Sequence, residues 1–160
     1  MDNFTNMNPT NPTPQLYILK VALMGAKRIW RKIAIREDQK LSQLHDIIYE
    51  AFDRFDEHLY SFHFPSKKTN RMRTLYDSPQ CSHPMALEGS PGDANAQKTT
   101  LSKFHLQPGQ VFYYLFDFGD CWWHEITVES MRLPDKARYP IIVARNGKSP
   151  EQYEEYDENE

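Results

Sequence analysis

Four ionisable side chains crowd one predicted chain reversal, where the sequence reads FDFGDCWWHEI from residue 116 onward. They are Asp117, Asp120, His124 and Glu125. Polar groups between two apolar segments must be solvated, paired or functional. A carboxylate beside an imidazole can orient the ring as a general base or as a metal ligand. The sequence therefore predicts a candidate site at this reversal.

The geometry of the reversal depends on the length of its loop. If Gly119 and Asp120 form a two-residue loop, with glycine supplying the positive φ, Asp117 pairs with Trp122. Side chains that pair directly share one face of the ribbon, so Asp117 and His124 become diagonal neighbours, about 7–8 Å apart at the backbone. We therefore predict that Asp117 lies beside His124 at the rim of the core.

This predicted pair has two interpretations. In the structural one, Asp117 accepts a hydrogen bond from the His124 ring, while Asp120 binds the amides of the turn. In the functional one, Asp117 orients His124 for acid–base or metal-assisted hydrolysis, with His45, Asp120 and Glu125 as further catalytic candidates. The sequence leaves both interpretations open.

The remaining histidines and the two cysteines offer other chemistry. His45 shares the apolar side of a predicted helix, which is typical of a core histidine, and His58 suits either a helix-end contact or a site. Two thiols and two imidazoles are formally enough for a tetrahedral zinc site: Cys81, His83, Cys121 and His124. Their spacing lacks the tight knuckles of structural zinc sites. We therefore expect no bound metal or other cofactor, with a divalent metal as the alternative.

Size and composition limit the class of protein. A chain of 160 residues suits one domain, and a domain of this size buries roughly 68–70% of the surface of its unfolded chain. Two cysteines are too few for a disulfide framework, and no secretion-signal pattern opens the sequence. No apolar run approaches the roughly 20 residues that cross a bilayer. We expect a cytoplasmic protein with reduced thiols and no membrane contact.

The net charge of −3 conceals an uneven distribution. Residues 147–160 form an acidic tail that we expect to be solvated. Cations concentrate in the first half of the chain, and those that could contact phosphate are Arg28, Arg31, Lys32, Lys67, Lys68, Arg71 and Arg73. Nucleic-acid binding is therefore one alternative function.

Hydrophobic periodicity predicts the elements that position these residues. The Asn-, Thr- and Pro-rich residues 1–14 should form a loose arm outside the domain. Alternation of apolar residues predicts a hairpin of two strands, at 16–23 and 29–35. Apolar residues at three- and four-residue steps from Leu41 onward predict an amphipathic helix, with Asp38 as its N-cap.

Four further strands are predicted after the helix, at 59–64, 111–118, 122–129 and 139–144, the last at a sheet edge because it contains a proline. Residues 65–100 carry prolines and glycines without a period, which indicates an irregular insertion.

Together the elements predict a single α+β domain over residues 15–146. A ββαβ unit is continued by a C-terminal β-hairpin, and the resulting mixed sheet has one main helix packed on it, as in β-grasp folds.

Four blocks of the sequence, at 29–33, 41–48, 58–62 and 116–126, form a recognisable pattern. The pattern resembles the plasmid pRiA ORF-three-like family, also described as TnpR-like passenger proteins of insertion elements. The last block is the most diagnostic, with Phe116 where tyrosine is usual. Many members end in a Pro-Pro-Glu-Asp-Cys-Gly-Gly-like segment, which residues 147–153 do not reproduce. The resemblance implies an α+β domain of uncharacterised activity.

The sequence contains no phosphate-binding glycine loop, nucleophile elbow or zinc-protease motif. The leading hypothesis is a non-catalytic interaction or accessory module, associated with mobile elements, that contacts a protein partner through an exposed Trp123 and the charged loop. The predicted binding residues are Arg31, His58, Trp122 and Trp123. The alternatives are a hydrolase built on the reversal and a nucleic-acid-binding domain.

Overall fold

An eight-stranded sheet is the scaffold of the computed structural model, which describes residues 13–87, 89 and 92–153. The strands are β1 (Leu16–Leu23), β2 (Ala26–Arg36), β3 (Tyr60–His63), β4 (Gln80–Ser82), β5 (Ala94–Asn95), β6 (Val111–Phe116), β7 (Trp122–Arg132) and β8 (Ile141–Asn146). Within these residues the helices are α1 (Leu41–Ala51) and α2 (Met72–Asp77), and two 3₁₀ turns lie at Pro84–Ala86 and Leu101–Phe104.

The strand order across the sheet is β5-β4-β3-β6-β7-β1-β2-β8. Neighbouring strands are antiparallel throughout, except for the parallel pair β4 and β5. The hairpin predicted at the start of the domain is present as β1 and β2, and the predicted edge strand is β8. The α+β class, with a mixed sheet and one main helix, is confirmed.

The main core lies between the sheet and α1. Along β1, Tyr17, Leu19 and Val21 face this core, because successive strand residues point to opposite sides. From the helix, Leu44 and Ile48 meet them, four residues apart on one side of α1. Full burial of each such side chain stabilises the fold by roughly 1.5–3 kcal/mol. The periodic segments of the sequence are therefore the elements that build the core.

The start of α1 differs from the prediction. The residue before the helix is Lys40, whose backbone N–H donates to the Gln43 side chain over 2.9 Å. Asp38 does not cap the helix, because its carboxylate accepts two hydrogen bonds from the Arg36 guanidinium, at 2.9 and 3.0 Å. The aspartate was too far upstream to reach the free amides of the first turn.

The segment predicted as an irregular insertion contributes to the sheet. It contains α2, β4 and β5, and the two strands extend the sheet beyond β3. Strands of three and two residues are too short to show a period in the sequence. Most of the predicted N-terminal arm lies outside the described residues. None of the helices in the described ranges is long and apolar enough to span a bilayer.

Two buried arginines have opposite hydrogen-bonding states. The Arg31 guanidinium donates to the carbonyl oxygens of Ala51, Trp30 and Asn146 at 2.8–3.1 Å. None of the three Arg54 guanidinium nitrogens has a hydrogen-bonding partner among the described residues, and the group stacks 4.2 Å from the centre of the Trp122 ring. A buried cation with no acceptor is costly, whereas removal of a satisfied one leaves its acceptors unpaired.

We therefore predict opposite effects of the same substitution at the two positions. Arg31→Met should lower the free energy of unfolding by about 3 kcal/mol, since hydrogen bonds to charged groups contribute roughly 1.5–3 kcal/mol. Arg54→Met should leave it unchanged or raise it by about 1–4 kcal/mol. Urea denaturation of both variants measures the difference. Equal destabilisation by the two substitutions would contradict this account.

Candidate functional site

The reversal between β6 and β7 is longer than the sequence predicted. Phe116 pairs with Trp122 and Tyr114 pairs with His124, so the loop spans residues 117–121. The predicted two-residue loop is wrong, and the strands pair one residue out of the predicted register. The positive φ values fall at Asp117 and Cys121 rather than at Gly119. Because strand side chains alternate, this shift changes which residues share a face.

Asp117 does not lie beside His124. One oxygen of its carboxylate accepts hydrogen bonds from the backbone N–H groups of Gly119 and Asp120, at 3.0 and 3.3 Å. The other oxygen lies 3.4 Å from Nε2 of His58. The prediction that Asp117 orients His124 is therefore wrong, and the imidazole beside this carboxylate is His58. Asp117 also takes the turn-capping role that the sequence assigned to Asp120.

His124 is a core residue, 1% exposed. Its Nδ1 lies 3.3 Å from the Tyr114 carbonyl oxygen, and its ring packs edge-on against Phe52 with centroids 4.9 Å apart. Burial lowers the pKa of His124 to about 3, and the charge of Arg54 lowers it further. The ring is therefore neutral at physiological pH, and its role is to pack in the core.

Glu125 lies on the opposite face of the sheet from His124. Its carboxylate accepts a hydrogen bond from Lys27 at 2.8 Å and lies 3.6 Å from the Lys68 ammonium. Adjacent residues of a strand point to opposite faces, so Glu125 and His124 contribute to different surfaces. The four residues of the predicted site do not converge.

Of the predicted binding residues, two are buried and a third is half-buried. Trp123 is 8% exposed and packs with Leu75 and Tyr113, so the prediction of an exposed Trp123 is wrong. Trp122 is half-buried beneath Arg54. The buried Arg31 uses its guanidinium on backbone carbonyls, among them that of Ala51 at the end of α1. Arg31 is consequently unavailable to nucleic acid.

The cysteines and histidines of the alternative zinc site are separated. Cys81 is buried in β4, where burial raises the pKa of its thiol to about 12, and Cys121 is exposed in the reversal loop. No three of the four predicted ligands come together in the part of the chain that the structure describes. This ligand set does not form a tetrahedral site.

A cleft of about 750 Å³ lies beside α1 and gathers titratable side chains that the sequence did not group. It is bounded by α1, by the residues that precede β3 and by the turn that follows β4. Three imidazoles and two carboxylates line it: His45, His58, His83, Asp46 and Glu57. Of the catalytic candidates predicted from the sequence, His45 alone lies here, together with the predicted binding residue His58.

His45 is the buried member of this group. Its Nδ1 lies 2.6 Å from the Tyr114 hydroxyl, and its Nε2 lies 3.1 Å from a carboxylate oxygen of Glu57. The ring stacks on Tyr60 with centroids 3.8 Å apart. Potential ligand atoms of His45, Asp46 and Glu57 all lie within 4.8 Å of one another. These three residues form the compact part of the cleft, and we refer to them as the cleft triad.

The protonation of His45 follows from its partners. Burial lowers the pKa of His45 to about 3, so the ring is neutral. Burial also raises the pKa of Tyr114 well above its ordinary value, so its hydroxyl keeps its proton. The Tyr114 hydroxyl therefore donates to Nδ1, and Nε2–H donates to Glu57.

Partial burial disfavours ionisation of both carboxylates of the triad. Burial raises the pKa of Asp46. Burial also raises the pKa of Glu57, and the nearby negative charge of Asp46 adds to that rise. A cation bound between them would relieve both effects.

The loop that carries Glu57 is held by the C-terminal segment. The Gln152 side chain accepts from the backbone N–H groups of Phe55 and Asp56 at 2.9 and 3.2 Å, and donates to the Asp56 carbonyl at 2.8 Å. The Tyr153 hydroxyl donates to the Asp56 carboxylate and lies 2.6 Å from His58 Nε2. Residues 149–153 of the predicted acidic tail therefore pack on the domain, while 154–160 lie outside the described residues.

Asp46 and Glu57 were not among the site residues predicted from the sequence. A signal was present, because an acid is adjacent to a histidine twice, as His45-Asp46 and as Glu57-His58. Neither pair showed that the two positions converge across the loop after α1.

A model of the plasmid pRiA4b ORF-3-like proteins matches residues 15–157. The chain belongs to this family. Over 135 residues it is also 28% identical to an uncharacterized protein, y4hQ, of Sinorhizobium fredii strain NBRC 101917 / NGR234. That match covers 82% of the chain but only 62% of the length of y4hQ. The family resemblance seen in the sequence is confirmed.

The fold recurs in a solved structure, the protein of unknown function MM3350 from Methanosarcina mazei Go1. The two superpose with a TM-score of 0.68 over 87% of this chain and 73% of the other, at 23% sequence identity. At that identity the likeness shows the fold alone.

For this pRiA4b ORF-3-like protein, the blocks 41–48 and 58–62 that carry the family resemblance supply His45, Asp46 and His58 to the cleft.

The buried histidines predict how stability depends on pH. An unfolded chain binds a proton on each histidine below about pH 6.5, whereas folded His124 and His45 resist protonation down to about pH 3. Stability should therefore fall as the pH drops from 6.5 toward 3, by up to roughly 1.4 kcal/mol per pH unit for each histidine. His124→Phe should make this decline shallower in urea denaturation at stepped pH. A decline as steep as that of the wild type would show that His124 is accessible to protons.

Proposed function

We propose that the cleft binds a divalent transition-metal ion through the cleft triad, and that the bound ion activates water for hydrolysis. The observation that carries this proposal is the convergence of an imidazole nitrogen and two carboxylate oxygens within 4.8 Å of one another. Mixed nitrogen and oxygen donors suit Zn²⁺, Mn²⁺ and Fe²⁺, whereas Mg²⁺ and Ca²⁺ prefer oxygen alone. This proposal replaces our expectation from the sequence that the protein holds no metal.

The surroundings of His45 suit a metal ligand. A metal binds neutral imidazole, and burial already keeps His45 neutral. Coordination at Nε2 would move the ring proton to Nδ1, which then donates to the Tyr114 hydroxyl 2.6 Å away. Such a hydrogen bond on the far nitrogen fixes the orientation of metal-bound histidines. Tyr114 would therefore position the ligand.

The shape and charge of the cleft favour hydrolysis of an uncharged group. Three protein ligands leave a coordination position for water, whose pKa a zinc ion lowers to about 7. Among the described residues that line the cleft, none is lysine or arginine. The substrate class that fits is an amide or an ester rather than a phosphate ester. His58 and His83 line the same cleft and could contact the substrate. This cleft is a different place from the hydrolytic site that the sequence predicted at the reversal between β6 and β7, where the predicted residues do not converge.

The structure offers less support for the interaction role inferred from the sequence than for a metal-dependent hydrolase. Its aromatic anchor, Trp123, is buried, whereas the charged loop at residues 67–73 is largely exposed. An association with mobile elements is a proposal that rests on the plasmid in the family's description. A cytoplasmic location is likewise a proposal, supported by the free cysteines Cys81 and Cys121.

Isothermal titration of the protein with Zn²⁺ and with Mn²⁺ tests the metal site. We expect one ion per chain, and affinity at least about tenfold weaker in Asp46→Asn and in Glu57→Gln, a loss of about 1.4 kcal/mol or more. Both side chains are exposed, so neither substitution should disturb the fold. The matched control is Glu50→Gln, which changes an exposed carboxylate of α1, the helix that carries Asp46. This variant should bind the ion as tightly as the wild type does. Equal weakening in the control would place the ion elsewhere.

Water-proton relaxation of the Mn²⁺-loaded protein tests the hydrolytic part separately. An enhancement that depends on Asp46 and Glu57 would show water on the bound ion, as hydrolysis requires. Stoichiometric binding without enhancement would leave a metal site but contradict the open coordination position.

A further inference from the structure

Two basic segments that are far apart in the sequence meet on the sheet face opposite α1. Lys27, at the start of β2, and Lys68, in the loop before α2, share the carboxylate of Glu125 at 2.8 and 3.6 Å. The same loop is fixed to this face by a hydrogen bond from the Thr69 backbone N–H to the Tyr113 hydroxyl, 2.9 Å long. The sequence indicated cations of both segments as possible phosphate contacts, but it did not place them on one face of the sheet.

Toward its β2 and β8 edge, this face carries an aromatic ring beside two lysines. Lys20 and Lys32 are directly paired across β1 and β2, and their ammonium groups lie 5.2 and 5.4 Å from the centre of the Trp30 ring. Like charges in direct cross-strand register repel each other. Glu129 contacts one of the two, with an oxygen 3.1 Å from the Lys32 ammonium. A polyanion laid across the pair would relieve the repulsion.

Cations outnumber carboxylates on this surface, although the whole chain has a net charge of −3. The carboxylates include Glu125, Glu129, Asp77 and Asp93. The cations are Lys20, Lys27, Lys32, Lys67, Lys68, Arg71 and Arg73. The concentration of positive charge therefore does not follow from an overall basic composition, and it is complementary to a phosphate backbone.

We propose that this face, at Trp30 with Lys20 and Lys32 beside its ring, binds single-stranded nucleic acid. A half-buried indole flanked by cations combines the two elements of such sites, an aromatic platform for a base and ammonium groups for the neighbouring phosphates. A base stacking on Trp30 would move one lysine from the ring toward a phosphate. Duplex bases are already stacked on one another, so the aromatic platform selects a single strand. The surface shares no residue with the metal-binding proposal.

Fluorescence anisotropy with labelled oligo(dT) and oligo(U) tests the proposal at 50 and 200 mM salt. We expect the wild type to bind at least one of the two polymers more tightly than a duplex of equal length, and the polymer it prefers identifies the ligand class. In Lys20→Gln/Lys32→Gln the affinity should fall at least tenfold, and the slope of log affinity against log salt should shrink by about 1.4, since each phosphate contact on a single strand contributes about 0.7.

Two further variants separate this surface from general electrostatic attraction. Trp30→Leu keeps the charge and should weaken binding at least fivefold, because stacking contributes roughly 1–3 kcal/mol per base. Lys98→Gln/Lys103→Gln removes the same charge from exposed residues beside the start of α1, and should change affinity less than twofold. Absence of binding at 50 mM salt, tighter binding of the duplex, or equal weakening by the Lys98 and Lys103 substitutions would each overturn the proposal.

Discussion

The pairing register of β6 with β7 decides the chemistry of both faces of this protein. In the observed register, Tyr114 and His124 are partners and both point toward α1. Tyr114 can then reach His45 with its hydroxyl and orient the buried imidazole of the cleft. The same register places Glu125 on the opposite face, where it joins Lys27 to Lys68. A shift of one residue would exchange the two faces, because the side-chain period of a strand is two.

Much of the scaffold could be predicted from the sequence, because β1, β2 and α1 have long and regular hydrophobic periods. The register could not. A glycine at 119 suggested a two-residue loop, whereas the left-handed residues are Asp117 and Cys121. Aspartate is among the non-glycine residues enriched in that conformation, but cysteine is not, so the sequence did not identify both ends of the loop. Asp117 stabilises the longer loop because its carboxylate accepts hydrogen bonds from two backbone amides of the loop. The short strands β4 and β5 and the packing of Gln152 were missed for a related reason, since they depend on partners distant in the sequence.

The candidate site was predictable only in fragments. His45 was placed correctly on the apolar side of α1, but a helix histidine on such a face usually has a structural role. Its partner Glu57 is brought to it by the loop that follows α1, and the adjoining residues Phe55 and Asp56 are held by Gln152 from the other end of the domain. A contact between residues 97 positions apart leaves no local pattern. The site therefore arises from tertiary packing, and no short motif records it.

Anomalous diffraction from crystals soaked in Zn²⁺, with data collected on both sides of the zinc absorption edge, tests the central claim most directly. The account predicts one strong peak in the cleft, about 2.0–2.2 Å from Nε2 of His45 and from oxygens of Asp46 and Glu57. A peak bound to other residues, or a cleft without a peak at a zinc concentration that saturates the protein in solution, would contradict it.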